Sequence, residues 1–303
     1  MKKIKILIAD KIDLSGIGIL PHAAFDITTR PGISNKQIIL SFSKYDVLII
    51  NSKRTVDKDL LSCCNFKFVA TCSRGTDHIS TSFAKRKKIT IINSSGANAI
   101  SAAEHTMAMI LTIYKNILLS NTIVKKNNFE NDNFKRNEIY GKKIGIIGIG
   151  QVGSLVAKYC RAFGMQVFAN DIDPLVKKKY PELIFKPLNF ILKNSDIISI
   201  HIPLNRFNTL FIDSRKLNKI SNNCLLINTS RGKIINEKCL IKLLQQNKIY
   251  FAGLDVFVNE PDINEIFLKL PNVFLTNHIA GKTEESKIRM SNDIFLQIKN
   301  SYI

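Results

Sequence analysis

The sequence holds no uninterrupted apolar run long enough to cross a bilayer; the most apolar stretch, 106–119, is broken by Lys115 and Asn116. The opening MKKIKILIAD lacks the plan of a secretory signal, since Lys5 interrupts its apolar run and Asp10 closes it. Six cysteines stand at 63, 64, 72, 160, 224 and 239 without a CxxC pair or any His/Cys metal spacing. Adjacent Cys63 and Cys64 are poor disulfide partners, so the expectation is reduced, buried cysteines, no metal and a cytoplasmic setting. There is no internal repeat and no low-complexity tract. Acidic residues are scarce, 24 against 44 Lys and Arg, for a formal net charge of +20. The lysines run along the whole chain together with a surplus of Ile and Asn. Clusters at 85–88 and 177–179 fall where exposed helix ends and loops are expected. They are therefore read as solvated faces, not as a nucleic-acid surface. What remains is a 303-residue chain with 45% hydrophobic residues, the profile of a soluble globular protein of two ordinary domains.

The stretch that organises the chain runs from Lys142 to Asp171. An apolar run at 144–147 leads into Gly148-Ile149-Gly150-Gln151-Val152-Gly153, which fits G-x-G-x-x-G. A helical pattern follows through Val152, Leu155, Val156 and Tyr159, then Gly164 and a second apolar run ending at Asp171. Gly148 permits the tight turn, Gly150 lets a pyrophosphate approach the backbone, and Gly153 lets helix pack closely on strand. Free N–H groups at the helix start, Gln151 and Val152 among them, face the phosphates. Asp171 stands 18 residues after Gly153, placed to accept hydrogen bonds from a ribose and to repel a 2′-phosphate, which selects NAD over NADP.

Residues 1–94 form an α/β unit of their own, with strand-like runs at 4–9, 25–29, 47–50, 66–70 and 89–92 and helical patterns such as 35–42 and 57–61 between them. No glycine fingerprint follows its first strand. Residues 101–119 read as a buried helix, and 120–140 as a polar loop with a short turn or two. Beyond Asp171 the alternation continues with strands at 197–202, 224–229, 251–257 and 272–278, six in all between 142 and 278. That is the complement of a doubly wound dinucleotide domain with right-handed connections. The final helical pattern, 283–302, is long enough to return to the first domain. The expected division is therefore 1–94 plus 284–303 against 95–283.

Ligands of such sheets bind beyond the carboxyl ends of the strands, and polar groups gather there. Asn228-Thr229-Ser230-Arg231-Gly232 follows one strand, Asp255 closes the next with Glu260-Pro261 beyond it, and His278-Ile279-Ala280-Gly281 follows the last. A histidine can take the hydroxyl proton of a carbinol whose hydride departs, a carboxylate on its far nitrogen fixes the tautomer, and a guanidinium grips a substrate carboxylate.

These stretches, with GTDHI at 75–79, NAISAAE at 98–104, HIPL at 201–204, INTSRG at 227–232, LDVFVNEP at 254–261 and HIAG at 278–281, occur in the order of the D-isomer-specific 2-hydroxyacid dehydrogenases, which the chain resembles over nearly its whole length. The resemblance implies a Rossmann NAD-binding domain inserted in a flavodoxin-like substrate domain, and a homodimer built largely on the former. It implies Arg231 as the substrate-orienting group, Glu260 as the tuner of His278, and His278 as the acid/base. It places Asp255 near the nicotinamide carboxamide, and His201, Pro203, Thr229 and Gly281 in the cofactor pocket. Ser52, Lys53, Arg54, Arg74, Gly75, Thr76 and Asn98 become candidate substrate contacts.

Within the family the similarity leans toward the short-type D-3-phosphoglycerate dehydrogenases, through ILIADK, the strand leading to Asn51-Ser52-Lys53-Arg54-Thr55, and SAAEHT. Those enzymes carry a phosphate-binding arginine where this chain has Asn51, leaving Lys53 and Arg54 to replace it. Erythronate 4-phosphate, glyoxylate or hydroxypyruvate, and lactate-type acids are the alternative substrates. A dinucleotide-sensing corepressor is the alternative class. His105, beside Glu104 on the apolar helix, reads as a satisfied core or interface histidine.

Overall fold

The computed structural model describes residues 3–130 and 134–302. Met1, Lys2 and Ile303, at the expected domain ends, and residues 131–133 of the expected 120–140 loop lie outside the described residues. The chain divides into two compact units, Met1–Asn98 with Lys282–Ile303, and Ala99–Gly281. Both junctions fall a few residues from the expected ones, each next to the start of a long helix.

The first unit comprises β1 (Ile4–Ile8), β2 (Phe25–Thr29), α1 (Asn35–Phe42), β3 (Val47–Ile50), α2 (Lys58–Cys63), β4 (Phe68–Thr71), α3 (Thr81–Arg86) and β5 (Thr90–Asn93). All pairings are parallel, in the order β2-β1-β3-β4-β5. Parallel strands buried on both faces need continuous apolar runs, and β3 is Val-Leu-Ile-Ile, buried throughout. Side chains alternate between two cores. Leu7 joins Ile38, Leu60 and Ala84 on the face covered by α1, α2 and α3. Ile6 and Ile8 join Ile294, Phe295 and Ile298 of the C-terminal helix on the other. The helix starts are capped from the sequence: Ser34 and Gln37 form a capping box on α1, and Asp57 accepts from Leu60 N–H on α2.

The second unit runs through α4 (Ala99–Lys115), α5 (Ile117–Lys125), β6 (Lys143–Ile147), α6 (Gln151–Ala162), β7 (Gln166–Asn170), α7 (Pro174–Lys179), β8 (Ile184–Phe185), α8 (Leu188–Asn194), β9 (Ile197–Ile200), α9 (Ser214–Leu217), β10 (Leu225–Asn228), α10 (Glu237–Gln245), β11 (Phe251–Leu254), α11 (Glu265–Lys269) and β12 (Val273–Leu275). The chain then returns to the first unit as α12 (Glu284–Tyr302). The second sheet is wholly parallel in the order β12-β11-β10-β9-β6-β7-β8. It has seven strands, not the expected six. The addition is β8, two residues paired to the edge of β7, too short to leave a period in the sequence.

The expected single helix over 101–119 is two helices. Asn116 takes a left-handed φ of 51°, and α5 leaves α4 at 60°. Its side-chain amide donates to Lys135 O, tying the break to the chain that leads back to β6. The polar segment thus starts after Lys125, not at 120. Among the described residues no single helix is long and apolar enough to cross a membrane, and α4 has nine buried residues within its unit.

Candidate active site

In the second unit the loops that leave the carboxyl ends of β6, β7, β9, β10, β11 and β12 carry the candidate groups. At the first of these, Gly148 has φ +92°, and an added Cβ would stand 2.8–2.9 Å from Ile202 and the His201 backbone. At Gly153 a Cβ would fall 1.9 Å from Gly148 O, so helix α6 rests directly on the turn. Gly150 is the N-cap of this twelve-residue helix and supplies no side-chain cap, leaving its first amides open to an anion. Asp171 Oδ2 accepts from Ile149 N–H at 2.7 Å and Oδ1 from Asp173 N–H at 2.9 Å. The carboxylate is thereby tied to the glycine turn with lone pairs left for a ribose. Turn, helix start and acid fit a dinucleotide.

Arg231 follows β10 in a turn that Asn228 organises. Asn228, 1% exposed, donates Nδ2–H to Arg231 O and accepts from Ser230 N–H and Ser230 Oγ–H. Arg231 donates to Ser230 O at 2.8 Å. Next to it, a Cβ on Gly232 would lie 2.0 Å from Phe257 C and 2.1 Å from Phe257 O, so the arginine turn sits against the backbone that leads to Glu260. The sequence offered INTSRG as a motif without this reason for its glycine. Thr229 Oγ1 lies 3.0 Å from Thr106 Oγ1 of α4; Thr106 donates to Ala102 O, so Thr229 is the donor between them.

Glu260 Oε2 lies 2.6 Å from His278 Nδ1, while Oε1 accepts from Phe257 N–H. Burial pushes the Glu260 carboxyl up, but the His278 hydrogen bond, the Phe257 amide and the charges of His278 and Arg231 outweigh it and hold it below its ordinary value. With the carboxylate accepting, His278 carries a proton on Nδ1, which leaves its other nitrogen as the acceptor. Its side chain is 41% accessible. Arginine, carboxylate and histidine therefore share one edge of the sheet, the trio that oxidation of a hydroxy acid requires.

Other candidates are placed differently. His201 is 8% exposed with Nε2 2.8 Å from Ser199 Oγ, and Pro203 lies exposed just beyond it with its carbonyl held by Asn208. Gly281 ends the unit, half-buried. Asp255 is held inside the second unit. It has no exposed surface, and its oxygens accept from Thr276 Oγ1–H (2.6 Å), Ile279 N–H (2.8 Å) and Ala280 N–H (2.9 Å). A carboxylate held in this way supports the turn that carries His278. His105 of α4 lies 3.1 Å from Thr276 Oγ1 and 3.6 Å from Asp255 Oδ1. Burial lowers its pKa against the opposing pull of Asp255.

In the first unit, the loop 51–56 and the loop 74–79 meet through a bridge between Val56 and Ile79. Ser52 and Lys53 are exposed; Arg74, Gly75 and Thr76 are half-buried, with Ser73 Oγ–H donating to Gly75 O and Asn93 Nδ2–H to Arg74 O. Asn98 Oδ1 is buried without a hydrogen-bond partner among the described residues. Arg54 is a correction to the expected phosphate ligands. Its guanidinium forms an ion pair with Asp10 at 2.6 Å and donates to Asn35 Oδ1, Ala9 O and Ile33 O. With those bonds made and its side chain 9% exposed, it braces the strand ends. A cavity of about 600 Å³ opens beside it, lined by Lys11, Lys53, Asn35 and Asn51 among others. Asp10 offsets Arg54 there, so the two lysine charges stand uncompensated within the lining.

Comparison with known proteins places these features in a family. Residues 107–280 match the model described as D-isomer specific 2-hydroxyacid dehydrogenase, NAD binding domain. The chain is 32% identical over 300 residues to a D-3-phosphoglycerate dehydrogenase of Synechocystis sp., covering 98% of this chain and 54% of that one. It is 31% identical over 302 residues to the hydroxypyruvate reductase of Thermotoga maritima, covering 98% of each. The chain spans just over half the length of the three phosphoglycerate dehydrogenases it matches at 31–32% identity. Among solved structures, a D-lactate dehydrogenase from Aquifex aeolicus complexed with NAD and lactic acid superposes with a TM-score of 0.85 at 27% identity, over 98% of this chain and 95% of that one.

Proposed function

The chain belongs to the D-isomer-specific 2-hydroxyacid dehydrogenase family, and from that premise we propose that it interconverts a D-2-hydroxy acid and its 2-keto acid with NAD. The observation that carries the reading is the 2.6 Å contact of Glu260 with His278, on the sheet edge that also bears Arg231. In the oxidising direction the other nitrogen of His278 takes the hydroxyl proton, and the Glu260 carboxylate stabilises the imidazolium that results. Arg231 grips the substrate carboxylate and polarises the neighbouring carbonyl when the reaction runs in reverse. NAD, held at Gly148–Gly153 and Asp171, supplies the hydride acceptor. The unit Ala99–Gly281 is the dinucleotide domain in this reading, and Ser52, Lys53, Arg74, Gly75, Thr76 and Asn98 of the other unit contact substrate.

The substrate we propose is 3-phosphoglycerate, oxidised to 3-phosphohydroxypyruvate in service of serine synthesis. Support comes from the names of the Synechocystis and related proteins and from Lys11 and Lys53 beside the cavity, whose charges suit a phosphate. A second reading, reduction of hydroxypyruvate, is favoured by the end-to-end match to the Thermotoga protein and by the commitment of Arg54 to Asp10. A homodimer in the cytoplasm belongs to the same proposal. The apolar side chains that α5 exposes, Ile117, Leu118 and Val124, support a second copy covering it.

A substrate panel tests the reading. NADH oxidation is followed with 3-phosphohydroxypyruvate, hydroxypyruvate, glyoxylate and pyruvate. A preference of at least about tenfold in kcat/KM for the phosphorylated acid, lost in Lys53→Met, is the expected result. Equal or better turnover of hydroxypyruvate replaces it with the second reading.

A further inference from the structure

The inner face of α4 is mostly apolar, with Ser101 and Thr106 its buried polar residues and His105 beside them half-buried. Met109 and Ile113 pack over Gly253 of β11, where an added Cβ would come within 3.2 Å of both. One turn toward the start of the helix, on the same face, stands His105. One pleat further along the strand stands Asp255. The histidine thus appears where the sheet ends and its loops begin, at the height of the turn that carries His278.

The proton positions across this junction follow from the donors available. Asp255, with no exposed surface, accepts from the Ile279 and Ala280 amides and from the Thr276 hydroxyl. The only hydrogen on Thr276 Oγ1 is spent on Asp255, so at 3.1 Å this oxygen is the acceptor and His105 Nε2–H the donor. The relay runs His105 to Thr276 to Asp255, and Asp255 then holds the two amides immediately after His278. His278 itself sits at φ +55°, a left-handed conformation that a residue with a side chain keeps only when its surroundings impose it.

We propose that His105 is a positioning residue for the hydride-transfer step: through Thr276 it orients the Asp255 carboxylate, which clamps the turn presenting His278. This rests on His278 being the acid/base. It also assigns His105 a task beyond filling the core, and gives Asp255 a role in holding the histidine turn.

The test compares His105→Leu, His105→Gln and Thr276→Val with wild type, using NADH and the 2-keto acid that wild type reduces fastest. Three quantities are read: the single-turnover rate of hydride transfer, the Kd for NADH, and Tm. His105→Leu and Thr276→Val should each slow hydride transfer by about 10- to 100-fold, the scale of a misplaced catalytic group. NADH affinity stays within about twofold, and the double variant is no slower than the worse single, because both act on one relay. His105→Gln, which keeps an N–H donor, recovers most of the rate. An unchanged rate in His105→Leu or Thr276→Val, a loss explained by weaker NADH binding, or additive losses overturns the relay. Should His105→Leu fail to fold, the near-isosteric Thr276→Val decides alone. His278→Ala is run beside them: if it turns over, the acid/base reading itself fails, whereas an inactive His278→Ala with wild-type relay variants sinks only the relay.

Discussion

Glu260 and His278 are joined by a 2.6 Å hydrogen bond although 18 residues separate them, one in the loop after β11 and the other just past β12. The same carboxylate accepts Phe257 N–H through its other oxygen, so its own loop and the histidine together set its orientation. A carboxylate held on both oxygens fixes the imidazole tautomer and stabilises the charged ring during proton transfer. The rate contribution of such a pair is separable from its contribution to folding.

Glu260→Gln keeps the shape of the side chain and removes its charge. It should lower kcat by about 100-fold, within the usual range for acid–base assistance, with NADH affinity unchanged. The stability effect has a sign. The folded carboxyl titrates below its ordinary value of 4.5, so its stabilising contribution is present above that value and is lost as pH falls through the lower, folded one. Thermal melts of wild type and Glu260→Gln should differ at about pH 6 and converge as the pH falls below about 4.5. A difference that persists undiminished at about pH 3 contradicts the assignment.

Gly232→Ala tests the contact between the arginine turn and the loop of Glu260. Its Cβ would meet the backbone of Phe257 and Val258 at 2.0–2.5 Å, and backbone cannot swing aside as a side-chain tip does. A loss of roughly 1–3 kcal/mol in stability is expected, as for overpacking, together with at least about a tenfold rise in KM as Arg231 is displaced. Gly18→Ala, with nothing within 4 Å of the added atom, is the control and should match wild type in both.

Asp171→Asn bears on cofactor choice. The carboxylate is tied to Ile149 N–H of the glycine turn, and its charge opposes a 2′-phosphate. The variant should bind NADH about tenfold more weakly and lose most of its discrimination against NADPH, measured as the ratio of the two Kd values by fluorescence titration. Undiminished discrimination would move the selecting group to another residue.

Much of this site was legible because parallel sheets place chemistry at strand ends, and strand ends show as polar residues closing apolar runs. Asp171, Arg231, Asp255 and His278 stand out in that way, with Glu260 in the loop beyond Asp255, and their roles come from the family resemblance. What escaped depends on distance in the chain. Nothing in the local pattern of α4 says that His105 meets Thr276, 171 residues away. Arg54 read as a free cation because its partners, Asp10 and Asn35, lie on other elements. The break at Asn116 turns on one left-handed residue, and β8 is two residues long; neither leaves a periodic signal.

His278→Ala tests the central claim most directly. Wild type and variant are purified side by side, the Kd for NADH is measured by fluorescence, and NADH oxidation is followed with the best 2-keto acid of the panel. The account predicts NADH affinity within about twofold of wild type and kcat lower by roughly 10³-fold or more, the upper range for a removed acid/base group. Turnover within about tenfold of wild type would contradict it and require another residue to carry the proton.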